Sequence, residues 1–397
     1  MFTSIRLNPH PADLSSLGLG PYPHEHKVRN LLRQPPPTDW KPTGITGSAY
    51  LDRGERLIRH DLDHHLQNDG SALDEAGETF TPFRFVLPAA TLLREGRIAE
   101  ARDRVFQAMD HTCAAFAADE LTPNFAVNEL AVAWWLLRDQ APANQVERWR
   151  AILAEFDPAE KFRRGGNHNW RVYAAGAEYL RQRAGLQPSE PCDSGAAFFD
   201  REMREQLRHV NALGMYRDPN DPMTYDMATR LRFALPIAAG YDGALRSTLE
   251  ELLRRGGLTT LLFMSPTGHA PFGGRSDQFC FMEAMIAILC ELEAIRYRDH
   301  DEALAGAFRR QAGLSVRSID RWIMEMDPPK AAKNAFPPEQ RHGHEPYRGH
   351  HNDVHFVASL FALAAMICDD SIAEQPCPAE LGGYVCELTP GFNKVIA

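Results

Sequence analysis

A chain of 397 residues is long enough for one large domain or two ordinary ones, and with 44% hydrophobic, 9% aromatic and 24% charged residues it can bury a core and is not a disordered segment. A formal charge of −10 argues against a phosphate-binding surface, which excludes nucleic acid as an expected partner without excluding one cationic cleft. No apolar run approaches the roughly 20 residues that span a bilayer, and Met1 to Leu19 lacks a continuous apolar stretch, so the expected setting is cytoplasmic, without a membrane partner, unless a leader has been trimmed away.

Along the chain, the first 50 or so residues, with the run Gln34-Pro35-Pro36-Pro37, read as an arm. Helical spacing with almost no period-two alternation then predicts helices over 99–119, 124–139, 144–156, 169–184, 195–212, 223–239, 243–255, 277–297, 302–326 and 354–368. Residues 328–349 read as a second ordered arm, too short to separate domains. Segments apolar on more than one face, such as Leu130 to Leu137 and Phe356 to Ile367, suit an inner ring, and amphipathic ones such as Gln145 to Glu155 suit an outer ring. The expected fold is therefore all-α: a single (α/α)-barrel or toroid of six or seven helical hairpins over residues 1–397. Seven cysteines are odd in number, scattered and without a CxxC pair, so neither a disulfide framework nor a structural zinc knot is predicted from them.

Polar residues cluster beside Gly and Pro at four places, where backbone can approach a ligand closely. Gly165-Gly166-Asn167-His168-Asn169-Trp170-Arg171 opens a helix, and a helix N-terminus favours a carboxylate; a capped helix with a hydrogen-bonded His is the plainer reading. Gly214 to Asp226 is a Pro- and Asp-rich turn that also carries Tyr216, Arg217 and Tyr225, and either tyrosine could simply tie down the loop. Ser265 to Gln278 contains His269 and a Gly273-Gly274-Arg275-Ser276 run, expected to cap the next helix through Ser276 and to aim Arg275 at an anion or at neighbouring carbonyls. His342 to His355 is the densest histidine region and includes Tyr347, His350 and His351. No cofactor is expected. His351 and His355 share a helical face, and Asp353 or Glu345 could complete a metal site, but without an HExxH motif substrate contacts or a loop-anchoring network are favoured.

These residue types suit β-elimination next to a uronate carboxylate. That reaction needs the carboxylate neutralised, the C5 proton removed and the departing O4 protonated. Asn167, Asn169 or Arg275 suits the first role, His168 the second and Tyr225 the third, or both proton transfers when C5 has the opposite configuration. Tyr216 competes with Tyr225 for the acid role. Trp170, Tyr216, His269, Arg275, Tyr347, His350 and His351 are expected to touch substrate alongside Asn169.

The Asn167-His168 pair at a helix start, the later Tyr225 in a Pro-containing loop with Arg217 nearby, and Phe272-Gly273-Gly274-Arg275-Ser276 together resemble the helical-toroid polysaccharide lyases, which include alginate lyases and heparinase II/III-like enzymes. The resemblance covers roughly residues 120–300. It implies a lyase acting on a poly- or oligosaccharide, with His168, Tyr225, Asn167 and Arg217 catalytic. The chain lacks the β-rich tail of many relatives, which favours the single-toroid alginate or glucuronan lyase type. The rivals are a hydrolase of the same fold using two of Asp221, Asp226, Asp277, Glu283 and Asp353; an epimerase pairing His269 with His351; and a non-catalytic helical scaffold binding a protein partner. Apolar outer faces would permit a homodimer.

Overall fold

The structure, a computed structural model, describes residues 1–162, 169–187 and 193–386 together with the backbone of 395–396. Twelve helices build the ring: α1 (Gly47–His64), α2 (Val86–Arg94), α3 (Arg102–Ala117), α4 (Pro123–Leu137), α5 (Ala143–Ala154), α6 (Asn169–Arg183), α7 (Gly195–Gln206), α8 (Met223–Ala238), α9 (Arg246–Phe263), α10 (Phe281–Tyr297), α11 (Glu302–Ile323) and α12 (His350–Ile367). The even-numbered helices touch one another in the order α2, α4, α6, α8, α10, α12 and back to α2, which closes an inner ring. The odd-numbered helices lie outside, each packed against one or two inner neighbours. The result is an (α/α)-toroid of six hairpins, at the lower end of the expected range.

The residues explain the layering. Every residue of α10 is buried, as an inner helix covered by its partners requires, and in α8 every residue but Tyr225 is buried. Outer α5 buries only Trp149, Leu153 and Ala154, one stripe at i, i+4 and i+5. Each fully buried Leu or Phe contributes about 1.5–3 kcal/mol from apolar area removed from water, offset by chain entropy. Starts are fixed locally: Thr46 accepts from the Ala49 N–H at 3.2 Å, Asp301 from the Leu304 N–H at 3.1 Å, and α4 opens on Pro123.

The helix predicted over 243–255 spans Arg246–Phe263 in the structure and continues through Gly256-Gly257. These glycines are there for close packing. A Cβ on Gly256 would sit 2.8 Å from the Gly214 carbonyl oxygen, and one on Gly257 would sit 2.8 Å from Glu293 Cγ. Two helices were not read at all: α1, assigned largely to no element, and the short α2. Both are needed to close the ring.

The segment before α1 runs across the outside, with Asn8 accepting from Arg296, Gly20 from Arg255, Lys41 from Arg310 and Ile45 from Arg309. The arm at 328–349 crosses the start of α10, where Gln278 donates to the Gly343 carbonyl and Lys333 pairs with Glu283 at 2.8 Å. It then delivers Tyr347 and Arg348 to the start of α12. Two-residue strand pairs, Ala72–Leu73 with Thr79–Phe80 and Val385–Cys386 with Val395–Ile396, are the only named strands among the described residues. No described helix is long and apolar enough to cross a membrane.

Candidate active site

All six inner helices present their N-terminal ends to one cavity of about 450 Å³. Its wall comprises Phe83 and Arg84 before α2, Thr122 and Phe125 at α4, Asn169, Trp170 and Tyr173 at α6, Thr224 and Tyr225 at α8, Phe281 and Met285 at α10, and Tyr347, Arg348, Asp353 and Phe356 at α12. Six helix dipoles therefore turn their positive ends toward the same space, which favours an anionic ligand. Aromatic faces suited to the apolar faces of a sugar supply most of the remaining wall.

Tyr225 is the position of α8 left open to the cavity. Its ring carries the Arg275 guanidinium 4.3 Å from the centroid, and its hydroxyl lies 3.3 Å from Ser276 Oγ. Burial works to raise its pKa, but the Arg348 charge and hydrogen bonds from Ser276, Tyr347 and Arg275 hold it below the ordinary tyrosine value of 10.0. The neighbouring Tyr347 hydroxyl, 66% exposed as a residue, is shifted the other way by burial and by its bond to Tyr225. Tyr225 is the more acidic of the two.

The supporting geometry depends on the glycine pair. Gly274 has φ +117°, and a Cβ there would lie 2.9 Å from Pro222, so the loop can lie flat against the start of α8. Gly273 accepts from the Met223 N–H at 3.0 Å, and Asp277 takes the Thr224 N–H at 3.1 Å. Ser276 does not cap a helix as expected. It sits at φ +68°, fully buried, bridging Tyr225 to Glu345 at 2.9 Å, and α10 begins later, at Phe281. A non-glycine residue in that region persists only where surrounding contacts hold it, here beside the cavity.

Arg84 and Arg348 line the cavity opposite Asp353, and Arg275 stacks on Tyr225 beside it. Arg348 is largely buried, donates to Asp353 at 2.7 Å and lies 4.6 Å from the Phe281 ring centroid. Arg84 stacks 4.3 Å over Phe356 and stands 3.8 Å from Asp353. Burial lowers its pKa, and its side chain donates no hydrogen bond among the described residues, so its N–H groups are available to a ligand. Arg275 donates to Asp218 at 3.0 Å. Asp218 also accepts from the Asn169 backbone N–H at 2.8 Å and its side-chain amide at 3.2 Å, so a loop between α7 and α8 caps α6. The expected carboxylate-binding Asn169 is thereby partly committed to an internal acid.

The structure brings Asn169, Trp170, Tyr225, Arg275 and Tyr347 together, and Asn167 and His168 lie outside the described residues. The other expected contacts are elsewhere. Arg217 pairs with Asp221 at 3.0 Å with half its side chain exposed, and Tyr216 is buried, its hydroxyl donating to Gln206 at 2.7 Å. Tyr216 is the loop anchor that its plainer reading described. His269 is exposed on the loop before α10; its backbone N–H donates to Ser265 Oγ at 2.9 Å. His350 is buried against the Pro329 carbonyl at 3.2 Å, and burial holds its pKa well below the usual histidine value. His351 and His355 face α1, where Asp61 lies 3.4 and 2.5 Å from their ring nitrogens, whereas Asp353 faces the cavity. The set His351, His355 and Asp353 is thus split between two faces of α12, since residue 353 falls about 200° around the helix from 351.

Of the five carboxylates considered for a hydrolase, only Asp353 lines the cavity. Asp221, Asp226 and Glu283 are paired with Arg217, Arg230 and Lys333, and Asp277 holds Thr224. The epimerase pair His269 and His351 does not line it either. Sequence reading missed Arg84, Arg348 and Asp218. Arg348 stood inside the histidine-rich group, whereas Arg84 in Pro82-Phe83-Arg84-Phe85 carries no motif.

The fold and the six converging N-termini define the class: a twelve-helix (α/α)-toroid with an aromatic, arginine-bearing cavity at one end. Solved structures that share the fold are carbohydrate-active enzymes. An inactive variant of an α-1,6-mannanase from Salegentibacter sp. HEL1_6, bound to an α-1,6-mannotetraose, aligns with TM-score 0.52 at 8% identity over 80% of this chain and 99% of its own. A mutant unsaturated glucuronyl hydrolase from Streptococcus agalactiae aligns with TM-score 0.51 at 8% identity over 88% of this chain and 98% of its own. No protein-family model matches the chain, and no curated protein matches it in sequence.

Proposed function

We propose that this cavity is the active site of an enzyme that takes uronate-containing poly- or oligosaccharides, of alginate or glucuronan type, and cleaves them by β-elimination. The observation that carries the reading is Tyr225, a phenol made more acidic by Arg348, Ser276 and Arg275 on the wall of a cavity that also carries Arg84. A base takes the C5 proton, the electron pair left on C5 forms the C4–C5 double bond, the C4–O4 bond breaks, and Tyr225 gives its proton to the departing O4. His168 is assigned as the base; it directly precedes the cavity residue Asn169 in sequence. Asn167, Arg84 and Arg348 are assigned to the carboxylate, which must lose charge for C5 to become acidic.

The carbohydrate-active enzymes that share the fold support a glycan substrate, and one of them is named for a glucuronyl group. Both named activities are hydrolytic, which favours a uronoside hydrolase as the second reading. That reaction needs two carboxylates. Asp353 and the exposed Glu120 are the acids on the cavity wall, and Asp353 already faces Arg348 and Arg84. The mannanase is inactive when two consecutive aspartates are replaced, whereas consecutive aspartates in this chain occur only at Asp369-Asp370, just past the far end of α12.

Product mass separates the readings. Elimination gives fragments whose masses sum to that of the substrate, and hydrolysis adds one water. Fragments without added water, lost in Tyr225→Phe, are the expected result; fragments carrying water and lost in Asp353→Asn would replace elimination by hydrolysis.

A further inference from the structure

Behind the cavity wall, on the opposite face of α12, a second group of residues is placed for a different purpose. The end of α1 reads Arg59-His60-Asp61-Leu62-Asp63-His64-His65, and the start of α12 reads His350-His351-Asn352-Asp353-Val354-His355. Asp61 and His65 are four apart, as are His351 and His355, so each helix offers two donors on one face. Because α1 packs directly on α12, the two faces meet.

The donors converge. One ligand atom each from Asp61, His65 and His351 lie within 4.8 Å of one another. His351 Nδ1 stands 3.4 Å from Asp61 Oδ1, and His355 Nε2 stands 2.5 Å from Asp61 Oδ2. Both Asp61 oxygens, His351 Nδ1 and both His355 ring nitrogens are buried, and no side chain other than these histidines faces the Asp61 carboxylate among the described residues. Asp61 is 1% exposed, His351 6% and His355 1%. A buried carboxylate is costly unless a cation faces it. No Lys or Arg is ion-paired with it among the described residues.

We propose that Asp61, His65 and His351 bind one divalent metal ion of the zinc class, with a water completing the set of four. Imidazole and carboxylate donors suit that ion, and donors at i, i+4 on one helix facing a third on its neighbour can hold a metal between helices. None of the three residues lines the cavity, so the role is structural. The ion joins the first helix of the ring to the last and fastens the toroid where its two ends meet. It also fixes the turn of α12 that presents Asp353 to Arg348 on the other face. This inference does not depend on the chemistry assigned to the cavity.

The test uses the full-length protein, purified without chelator, and reads metal content by elemental analysis. One equivalent of zinc per chain is expected, and after exchange cobalt should give the visible bands of a tetrahedral site with nitrogen and oxygen donors. His65→Gln, at the half-buried donor, and His351→Gln should each weaken zinc binding by at least about 10- to 100-fold, the loss typical of even an outer-sphere partner, while circular dichroism reports an intact helical fold. Chelation should lower the melting temperature of the wild type and leave that of His351→Gln unmoved. Wild-type protein that neither carries metal nor takes up zinc or cobalt on dialysis would overturn the proposal. So would uptake that persists unchanged in both variants.

Discussion

At the residue scale the account turns on how Tyr225 acquires acidity. A phenol with a nearby guanidinium favours its charged form, and the sign of the effect fixes a pH prediction. If Tyr225 is the acid, turnover falls on the alkaline side as it deprotonates, at a pH below the ordinary 10.0. Removing the Arg348 charge in Arg348→Met should move that limb to higher pH, because the phenolate loses its partner; a limb that stays put would remove Tyr225 from the proton transfer. Tyr225→Phe should lower kcat by about 10²- to 10⁴-fold, the usual worth of a positioned acid or base, with the thermal midpoint little changed. A protein-binding scaffold would instead keep its partner affinity in that variant. Tyr225 was legible in the sequence because two tyrosines in a Pro- and Asp-rich turn exceed what a turn needs. Choosing it over Tyr216 rested on the helix beginning beside it, and burial of Tyr216 against Gln206 supports that choice. Arg84 was not legible, since its significance comes from Phe356, distant in sequence, on which it stacks.

At the scale of elements, periodicity identified ten helices, and the misreadings have local causes. The Gly256-Gly257 pair looks like a terminator, yet serves close packing in mid-helix. The helix predicted from Val354 starts earlier, at His350, because polar residues of its first turn are buried between α1 and the cavity and are not solvated. Within α6, Glu178 and Arg181 are fully buried and bonded at 2.8 Å, with Arg181 also donating to the Leu153 carbonyl at 2.8 Å in α5. Arg181→Met alone should cost about 3–5 kcal/mol because it strands a buried carboxylate, whereas Glu178→Leu combined with Arg181→Met should recover most of the loss. Chemical denaturation of the two variants checks this, and equal destabilisation would mean that the pair matters for more than its charge. Gly268 has φ +85° and a virtual Cβ in collision with the Leu314 carbonyl, so Gly268→Ala should lower the melting temperature through strain of about 1–3 kcal/mol or more.

For the whole molecule, the all-α toroid followed from helix count and from helices apolar on every face. Closure of the ring could not be read, because it depends on the short α2, which shows no helical signal in the sequence, packing on α12. The net charge of −10 does not prevent Arg84 and Arg348 from meeting an anion in the cavity, because charge is local. KM for a polyuronate should therefore rise with ionic strength while kcat holds, as salt screens the arginines and not the chemistry. A KM indifferent to salt would place substrate recognition away from Arg84 and Arg348.

The most direct test of the central claim is ultraviolet absorbance during incubation with a panel of polyuronates and their oligosaccharides, since elimination leaves a conjugated, unsaturated uronate. The account predicts a steady rise with at least one member of the panel that disappears in Tyr225→Phe and in His168→Ala. Reducing ends that accumulate without any absorbance would contradict it and make the protein a hydrolase working through Asp353.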